Sequence, residues 1–208
     1  ILNLGSKENY RYKHPSVGST CGRYAGRISN AKFKIGNKKF NLNANEGKNI
    51  LHGGKVGFSI LPWTKLNQTK DKIVYQIHSR DKDQGFPGNL VVNCIYQLRN
   101  KFLIIKYEYK SNKSTHVNLT NHSYWNLEKN KNHMIYNHEL KLNSYKYLEI
   151  NKNLIPTGRS INVKNSIYDF LKFQNIGKKL VFFINKKKES KFKGFDTTYI
   201  VKKSPRNF

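Results

Sequence analysis

The sequence predicts an all-β fold, a large antiparallel β-sandwich, and three observations lead to that prediction. Short runs rich in β-branched and aromatic residues recur along the chain, and several alternate between apolar and polar positions. Clusters of Gly, Asn, Asp and Pro separate these runs, which is typical of strands joined by turns. Patterns with a helical period are few. Short strands between turn clusters pack most economically as two antiparallel sheets.

The strands are predicted in chain order from these local patterns. Residues 1–5 have the composition of the middle of a strand and its turn. Residues 33–42 alternate on either side of a Gly-Asn pair at 36–37, which is typical of a β-hairpin. Residues 102–109 place charged side chains on one face, which indicates a strand with one solvated side. Further strands are predicted at residues 73–77, at 90–98, from 117 onwards, at 139–142 and at 160–163.

Helix and domain boundaries are weakly marked in this chain. Only residues 8–13 and 167–173 are candidates for a turn or two of helix. No internal repeat or linker composition interrupts the sequence, so we expect a single β domain over residues 1–208. Because the chain begins abruptly and residues 202–208 show no capping element, we expect that domain to be incomplete at both ends.

The formal net charge of +27 is the most unusual bulk property of the chain. Such a charge favours binding to a polyanion. However, the cations are mostly Lys and are spread almost evenly, and residues 186–188 form the only dense run. Arg, which reads phosphate and base edges, is scarce. The abundant Lys, Asn, Ile, Tyr and Phe all use A/T-rich codons. We therefore expect weak, salt-sensitive attraction to polyanions and no specific nucleic-acid partner; clustering of Lys on one face would indicate the opposite.

The remaining composition indicates a cytoplasmic protein without a membrane span. Cys21 and Cys94 form no CxxC motif or disulfide framework, which suits a reducing compartment. No apolar run approaches the roughly 18 residues of a membrane helix. The first residues show no signal-peptide pattern.

Four segments concentrate polar, ionisable and glycine residues where a plain strand would not. Taken singly, each has a structural explanation. His122 could be a hydrogen-bonded structural histidine, and His52 a turn residue before two glycines. Arg27 could pair with a surface carboxylate, and Asp196 could be a turn residue beside a glycine. The four segments are residues 22–28, residues 49–54 with Gly57, Phe58 and Trp63, residues 118–127, and residues 194–196.

Taken together, the four segments resemble the aldose 1-epimerases, the galactose mutarotase family. Residues 118–127 match that family's Asn-x-Thr-Asn-His-x-Tyr-(Phe or Trp)-Asn-Leu signature at every defined position. Residues 22–28 resemble its Gly-Arg-x-Ala-Asn-Arg-Ile, residues 49–54 its Asn-x-Leu-His-Gly-Gly, and residues 194–196 its Gly-(Tyr or Phe)-Asp. Residues 85–90 and 154–158 also look like family segments, in the same order. The resemblance implies a galactose mutarotase-like β-sandwich.

The resemblance also implies a reaction, the interconversion of the α and β anomers of a free hexose such as galactose or glucose. His122 would be the general acid that protonates the sugar ring oxygen. Arg27, His52 and Asp196 would hydrogen-bond the sugar, and Tyr124 would line the same cleft. Histidine, with a reference pKa of about 6.5, suits reversible proton donation at neutral pH. The implied partner is a small-molecule hexose, and neither a metal nor an organic cofactor is implied.

The chain departs from the family pattern at two places. Gly26 stands where the family has an Asn that contacts the substrate, which removes one side-chain hydrogen bond and costs about 0.5–1.5 kcal/mol. The family's general base is a Glu beyond the Asp of its Gly-(Tyr or Phe)-Asp segment, and no Glu follows Asp196 here. Glu108, Glu128, Glu139 and Glu149 do not lie in a base motif. We therefore expect these 208 residues alone to fold poorly, with unpaired sheet edges, and to show little activity.

Three alternatives to an epimerase stay open at this level. The chain could be a non-catalytic or decaying sugar-binding relative that keeps Arg27, His52 and Asp196 without a base. It could be a basic nucleic-acid binder. It could also act on hexose 6-phosphates, although the signature at residues 118–127 favours free sugars.

Overall fold

The computed structural model describes residues 1–10, 16–130, 134–186 and 194–202. The chain divides into two compact units, Ile1–Tyr124 and Trp125–Phe208. The single domain predicted over residues 1–208 stays a prediction.

The first unit consists of short antiparallel strands around one larger sheet. The ten strands among its described residues are, in chain order, β1 Thr20–Cys21, β2 Arg27–Ile28, β3 Lys32–Ile35, β4 Lys38–Asn41, β5 Ile50–Leu51, β6 Thr64–Gln68, β7 Lys72–Ser79, β8 Leu90–Arg99, β9 Phe102–Ser111 and β10 Thr120–Asn121. Three short 3₁₀ helices lie at Glu8–Tyr10, Ser29–Ala31 and Asp83–Gly85.

The larger sheet has the order β6-β7-β8-β9, and every neighbouring pair is antiparallel. Period-two burial explains its register, because Leu90, Val92 and Cys94 of β8 alternate with less buried residues and face one side. That face packs on the buried ring of Phe58, with Leu119 partly buried beside it. The three pairs β1-β10, β2-β5 and β3-β4 complete this unit.

The second unit holds five strands and the one α-helix of the described residues. Its elements are a 3₁₀ helix at Ile135–Asn137, β11 Glu139–Leu140, β12 Lys146–Ile150, β13 Pro156–Asn162, β14 Gln174–Asn175, α1 Ile176–Lys186 and β15 Tyr199–Ile200. The strands pair as β13-β12-β15 and β11-β14, all antiparallel. Buried Val163 and Phe170 and the rings of Tyr168, Phe195 and Tyr199 form the apolar interior of this unit.

The all-β prediction is confirmed, since strands dominate and one helix of 11 residues is present in the described part of the chain. The hairpin around residues 36–37 forms between β3 and β4, with Phe33 opposite Phe40. The strands predicted at 73–77, 90–98 and 102–109 correspond to β7, β8 and β9. The strand predicted from residue 117 is only β10, the one at 139–142 stops at Leu140, and the one at 160–163 is the end of β13.

Two predictions of local structure are wrong. Residues 1–5 form no strand; Leu2 donates one backbone hydrogen bond to Tyr124, which is too little to build a ladder. Residues 167–173 form turns and bends, because the Ser166 hydroxyl and the Asp169 carboxylate accept bonds from nearby backbone amides and compete with helix formation.

The helix α1 was missed by the sequence prediction, and the helix predicted at residues 8–13 is partly observed. The signal for α1 is Asn175, whose side chain accepts a hydrogen bond from the Lys178 amide (2.9 Å) as an N-cap. The 3₁₀ turn at Glu8–Tyr10 agrees with the first half of the other prediction, and residues 11–13 lie outside the described residues. Of the basic run at 186–188, residues 187 and 188 also lie outside them.

Candidate functional site

Three predicted site residues of the first unit come together in the structure. The imidazole rings of His52 and His122 stand edge to face, with centroids 5.4 Å apart and planes at 86°. The ring of Tyr124 also contacts His122, with centroids 5.1 Å apart and planes at 46°. His52 follows β5, and His122 follows β10, so residues 70 positions apart in sequence form one aromatic and polar cluster.

The backbone around His52 explains why glycines follow it. His52 has a positive φ of 50°, and Gly53 and Gly54 continue with φ of 85° and 109°. A Cβ at Gly53 would lie 1.8 Å from the carbonyl oxygen of Gly22, so no larger residue fits. The two glycines therefore let His52 lie close to residues 22–26, which belong to the first of the four segments.

Hydrogen bonds in both directions tie His52 to Gly26. The His52 backbone amide donates to the Gly26 carbonyl (3.0 Å), which extends the β2-β5 pairing by one step. The Gly26 amide in turn donates to Nδ1 of the His52 ring (3.1 Å). The Gly26 backbone amide thus positions the His52 ring, and the pairing of β2 with β5 positions the His52 backbone.

His122 is held through its backbone at the end of β10. Its amide donates to the Ser19 carbonyl (2.9 Å), and its carbonyl accepts from the Gly18 amide (3.0 Å). Successive side chains of an extended segment point to opposite faces. Asn121 approaches the Tyr96 hydroxyl (3.4 Å) on the sheet side, which leaves the His122 ring on the side of His52 and Tyr124.

Arg27 lies on β2, opposite Leu51 of β5 and one ladder step from His52. Its guanidinium makes a bidentate ion pair with Glu46, in which Nε lies 2.6 Å from Oε2 and Nη2 lies 2.7 Å from Oε1. The Arg27 side chain is 16% exposed and that of Glu46 is 38% exposed. The structural explanation for Arg27, a carboxylate partner, is therefore observed, and the pair fixes the plane of the guanidinium.

Glu46 lies beside the candidate site, on Arg27, and the sequence patterns did not predict it. It lies in the turn before β5, where its amide donates to the Asn49 carbonyl (3.1 Å). Nothing in the local pattern marks this Glu, because its partner is 19 residues away in sequence.

Arg23, inside the same segment as Arg27, is buried and structural. It is 2% exposed and donates to the Ser79 hydroxyl and to the carbonyls of Ser79, Arg80 and Pro87 at 2.7–3.0 Å. Burial lowers the pKa of the Arg23 guanidinium from its ordinary value, and the nearby carboxylate of Asp83 opposes that shift. Arg23 therefore anchors the segment that carries Gly26 and Arg27 to the strand end at β7.

Asp196 lies in the second unit and is exposed. The preceding Phe195 packs edge to face on Phe170, with ring centroids 5.6 Å apart. The structure describes Asp196 within its own unit, so its predicted role in sugar binding stays a prediction.

The two departures from the family motifs have structural counterparts. Gly26 has φ of 82°, and a Cβ built on it meets no atom within 4 Å, so the missing Asn side chain leaves open space. Three glutamates of the described chain are bound to cations: Glu46 to Arg27, Glu108 to Lys106 and Glu149 to Arg159.

A cavity of about 250 Å³ lies within the first unit, beside the site rather than in it. Its polar end is Thr20, whose hydroxyl contacts the Tyr107 hydroxyl (3.1 Å) and the Cys94 thiol (3.7 Å). Burial raises the pKa of Tyr96 to about 12 and also raises the pKa of the Cys94 thiol. The lining residues are Gly18, Ser19, Thr20, Phe58, Ser59, Leu61, Trp63, Tyr75, Cys94 and Tyr96.

The described ranges contain neither a metal-ligating cluster nor a helix that could span a membrane. There, no group of three or more His, Cys, Asp or Glu side chains is arranged to hold a metal ion. No helix within these same ranges has both the length and the apolar composition needed to cross a membrane.

Comparison with solved structures agrees with the fold. A GalM/aldose epimerase homologue from C. elegans superimposes with a TM-score of 0.87 at 23% identity, and a galactose 1-epimerase from Lactobacillus acidophilus NCFM with 0.85 at 28% identity. Each comparison covers 99% of this chain and 61% of the other. The chain therefore has the β-sandwich fold of the galactose mutarotase-like proteins.

The sequence comparisons identify the family. The aldose 1-epimerase family model matches residues 1–207. The galactose mutarotase of Sus scrofa is 34% identical over 204 residues, and that of Mus musculus is 35% identical; both matches cover 98% of this chain. The aldose 1-epimerase of Haemophilus influenzae is 35% identical over 97% of it. This chain belongs to the aldose 1-epimerase family, and it spans 57–58% of the length of these three relatives.

Proposed function

We propose that the natural protein containing this chain interconverts the α and β anomers of free hexoses, galactose or glucose, with His122 as the general acid. The observation that carries the proposal is the edge-to-face pair of His52 and His122, flanked by Tyr124 and built from two of the family's motif segments. Two imidazoles that backbone hydrogen bonds hold beside each other suit a site where one ring donates a proton and the other holds the substrate.

The reaction follows from the residue types. His122 gives a proton to the ring oxygen while the bond between that oxygen and the anomeric carbon breaks, and the anomeric hydroxyl loses its proton to a base. The open aldehyde rotates about the bond to its neighbouring carbon. The new hydroxyl then attacks the other face of the carbonyl and returns its proton to His122, and the base returns the other proton. No proton is gained or lost over the cycle.

Binding is proposed to use the charged and polar side chains around these rings. Arg27, fixed in plane by Glu46, donates to sugar hydroxyls, and charge-assisted hydrogen bonds are the stronger ones. Tyr124 is proposed to line the cleft, and the match of residues 194–196 to the family's Gly-(Tyr or Phe)-Asp motif supports a sugar-binding role for Asp196. The small-molecule hexose is the proposed partner, and the cytoplasm the proposed location.

The test is polarimetry of freshly dissolved α-galactose with the natural protein. We expect mutarotation well above the buffer rate, and His122→Gln should lower kcat by about a hundred- to ten-thousand-fold. The matched control is His78→Gln. His78 is exposed on β7, and within the described residues its ring hydrogen-bonds only to Gln76. A His122→Gln protein that keeps the wild-type rate would overturn the assignment of the acid.

The second candidate function is sugar binding without catalysis. It is favoured by the ion pairs of Glu46, Glu108 and Glu149, because each of these carboxylates is held by a neighbouring cation. Galactose binding measured by calorimetry, together with a mutarotation rate equal to that of buffer, would support this candidate over the first.

A further inference from the structure

The hydrogen bond between the Gly26 amide and the His52 ring determines which tautomer the imidazole adopts. A backbone amide can only donate, so Nδ1 of His52, 3.1 Å away, must accept and carries no hydrogen. A neutral imidazole has one hydrogen, which then lies on Nε2. The tautomer thus follows from heavy-atom geometry and from a donor whose chemistry is unambiguous.

Three further contacts hold the ring in this arrangement. The His52 amide donates back to the Gly26 carbonyl (3.0 Å), so the two residues are joined by a pair of bonds. Gly53 packs its Cα against the Gly22 carbonyl, where no Cβ fits. His122 lies edge to face with the ring at 5.4 Å between centroids. The ring therefore cannot turn over to exchange its two nitrogens without breaking the contact to Gly26.

We infer that the Gly26 amide is a positioning group for His52: it holds the neutral ring in the Nε2–H tautomer, so that in the sugar-binding role proposed above the ring presents a hydrogen-bond donor. The only lone pair of this tautomer is on Nδ1, and that lone pair accepts from Gly26. The inference rests on the proposed function for the identity of the ligand, and on geometry alone for the tautomer.

The inference also gives position 26 a role that does not depend on its side chain. The positioning group is the backbone amide, so replacement of the family's Asn by Gly leaves it in place. Asn tolerates positive φ better than most residues, and the space beside Gly26 is open. Gly26→Asn should therefore preserve the His52 tautomer, which makes it a matched control.

The first experiment is nuclear magnetic resonance of the natural protein without sugar, labelled with ¹⁵N in its histidine rings. Two-bond ¹H–¹⁵N correlations distinguish a bare ring nitrogen from a protonated one. We expect a bare Nδ1 and a protonated Nε2 for His52, in the wild type and in Gly26→Asn. A protonated Nδ1, or a signal averaged between the two tautomers, would overturn the inference.

The second experiment separates the two nitrogens with a pair of variants. In His52→Asn the side-chain oxygen takes the place of Nδ1, so the Gly26 amide should keep its protection from hydrogen exchange while galactose affinity falls about tenfold. In His52→Gln the amide nitrogen takes the place of Nε2, so exchange at Gly26 should accelerate at least about tenfold. Equal exchange of the Gly26 amide in His52→Gln and in the wild type would contradict the inference.

The results that would contradict this inference differ from those that would contradict the proposed function. If the wild type neither binds nor mutarotates galactose, the proposed function is wrong. The tautomer and the Gly26 exchange rates are measured without sugar and still decide whether the amide controls His52.

Discussion

At the scale of single residues, the polar groups of this chain depend on partners that are distant in sequence. Arg27 and Arg23 lie four positions apart in one motif, yet one is paired with a carboxylate and the other is buried among carbonyl groups. Both arrangements fix a planar guanidinium by several hydrogen bonds. The same residue type thus serves as a candidate ligand at one position and as a scaffold at the other.

Removal of Glu46 should loosen Arg27. Glu46→Ala deletes both acceptors of a partly buried guanidinium, so we expect the free energy of unfolding to fall by about 1–2 kcal/mol and hexose affinity to weaken. Urea denaturation and calorimetric titration with galactose measure the two effects. The control is Glu108→Ala, which breaks an exposed pair with Lys106 and should change stability much less. Equal losses in the two variants would show that the Arg27 pair has no special role.

Removal of the Arg23 side chain should be more costly. Arg23→Ala leaves a cavity and strips donors from the carbonyls of Ser79, Arg80 and Pro87, so we expect a loss of about 3–5 kcal/mol in urea denaturation. Arg159→Ala is the control, since that side chain is 72% exposed and its loss should be nearly neutral. A small loss in Arg23→Ala would mean that water replaces the guanidinium.

At the scale of secondary-structure elements, short strands and tight turns position the site. β2 and β5 have two residues each, and β1 and β10 also have two. Such short ladders have little stability of their own. Their geometry is therefore set by the turns at their ends, above all by the glycines after His52, and by packing on the larger sheet.

Gly53→Ala tests the turn after His52. The new Cβ would clash with the Gly22 carbonyl at 1.8 Å, so we expect a loss well beyond the roughly 1–2 kcal/mol that a positive φ alone costs a residue with a side chain. Gly158→Ala isolates that cost, because Gly158 has nearly the same φ of 87° and its Cβ would meet no atom within 4 Å. Thermal unfolding of both variants is the measurement. Equal losses would mean that the turn relaxes without a clash.

At the scale of the whole molecule, the net charge of +27 is the dominant property. The folded chain brings 39 cationic side chains closer together than the unfolded chain does, with 12 carboxylates to offset them. Self-repulsion of this kind opposes the compact state. Salt that screens the repulsion should therefore stabilise the fold.

Stability should rise with ionic strength. Between 0.01 M and 0.15 M NaCl the Debye length falls from about 30 Å to about 8 Å. We expect a gain on the order of 1 kcal/mol, which for a chain of this length raises Tm by about 2–4 °C. Differential scanning calorimetry at the two salt concentrations measures it. A Tm that falls with salt would mean that attractive ion pairs outweigh the repulsion.

The sequence by itself determined the strand content, the hairpin at residues 36–37 and the family, and it singled out the candidate site residues. Alternation and turn residues are local signals, and a strand's own residues carry them. The Gly pair after His52 is also a local signal, since both residues have a positive φ, which favours glycine. For the same reason, the motif segments could be recognised before any contact was known.

Only the tertiary structure decided which groups meet. Glu46 is the partner of Arg27, Arg23 is buried, and the Gly26 amide sets the tautomer of His52; each depends on a contact between segments 19 to 64 residues apart. The missed helix α1 and the two wrong local predictions have the same origin, because short segments take the conformation that their hydrogen-bond partners allow. Local patterns fix periodicity, whereas the direction and protonation of a side chain depend on what the fold places beside it.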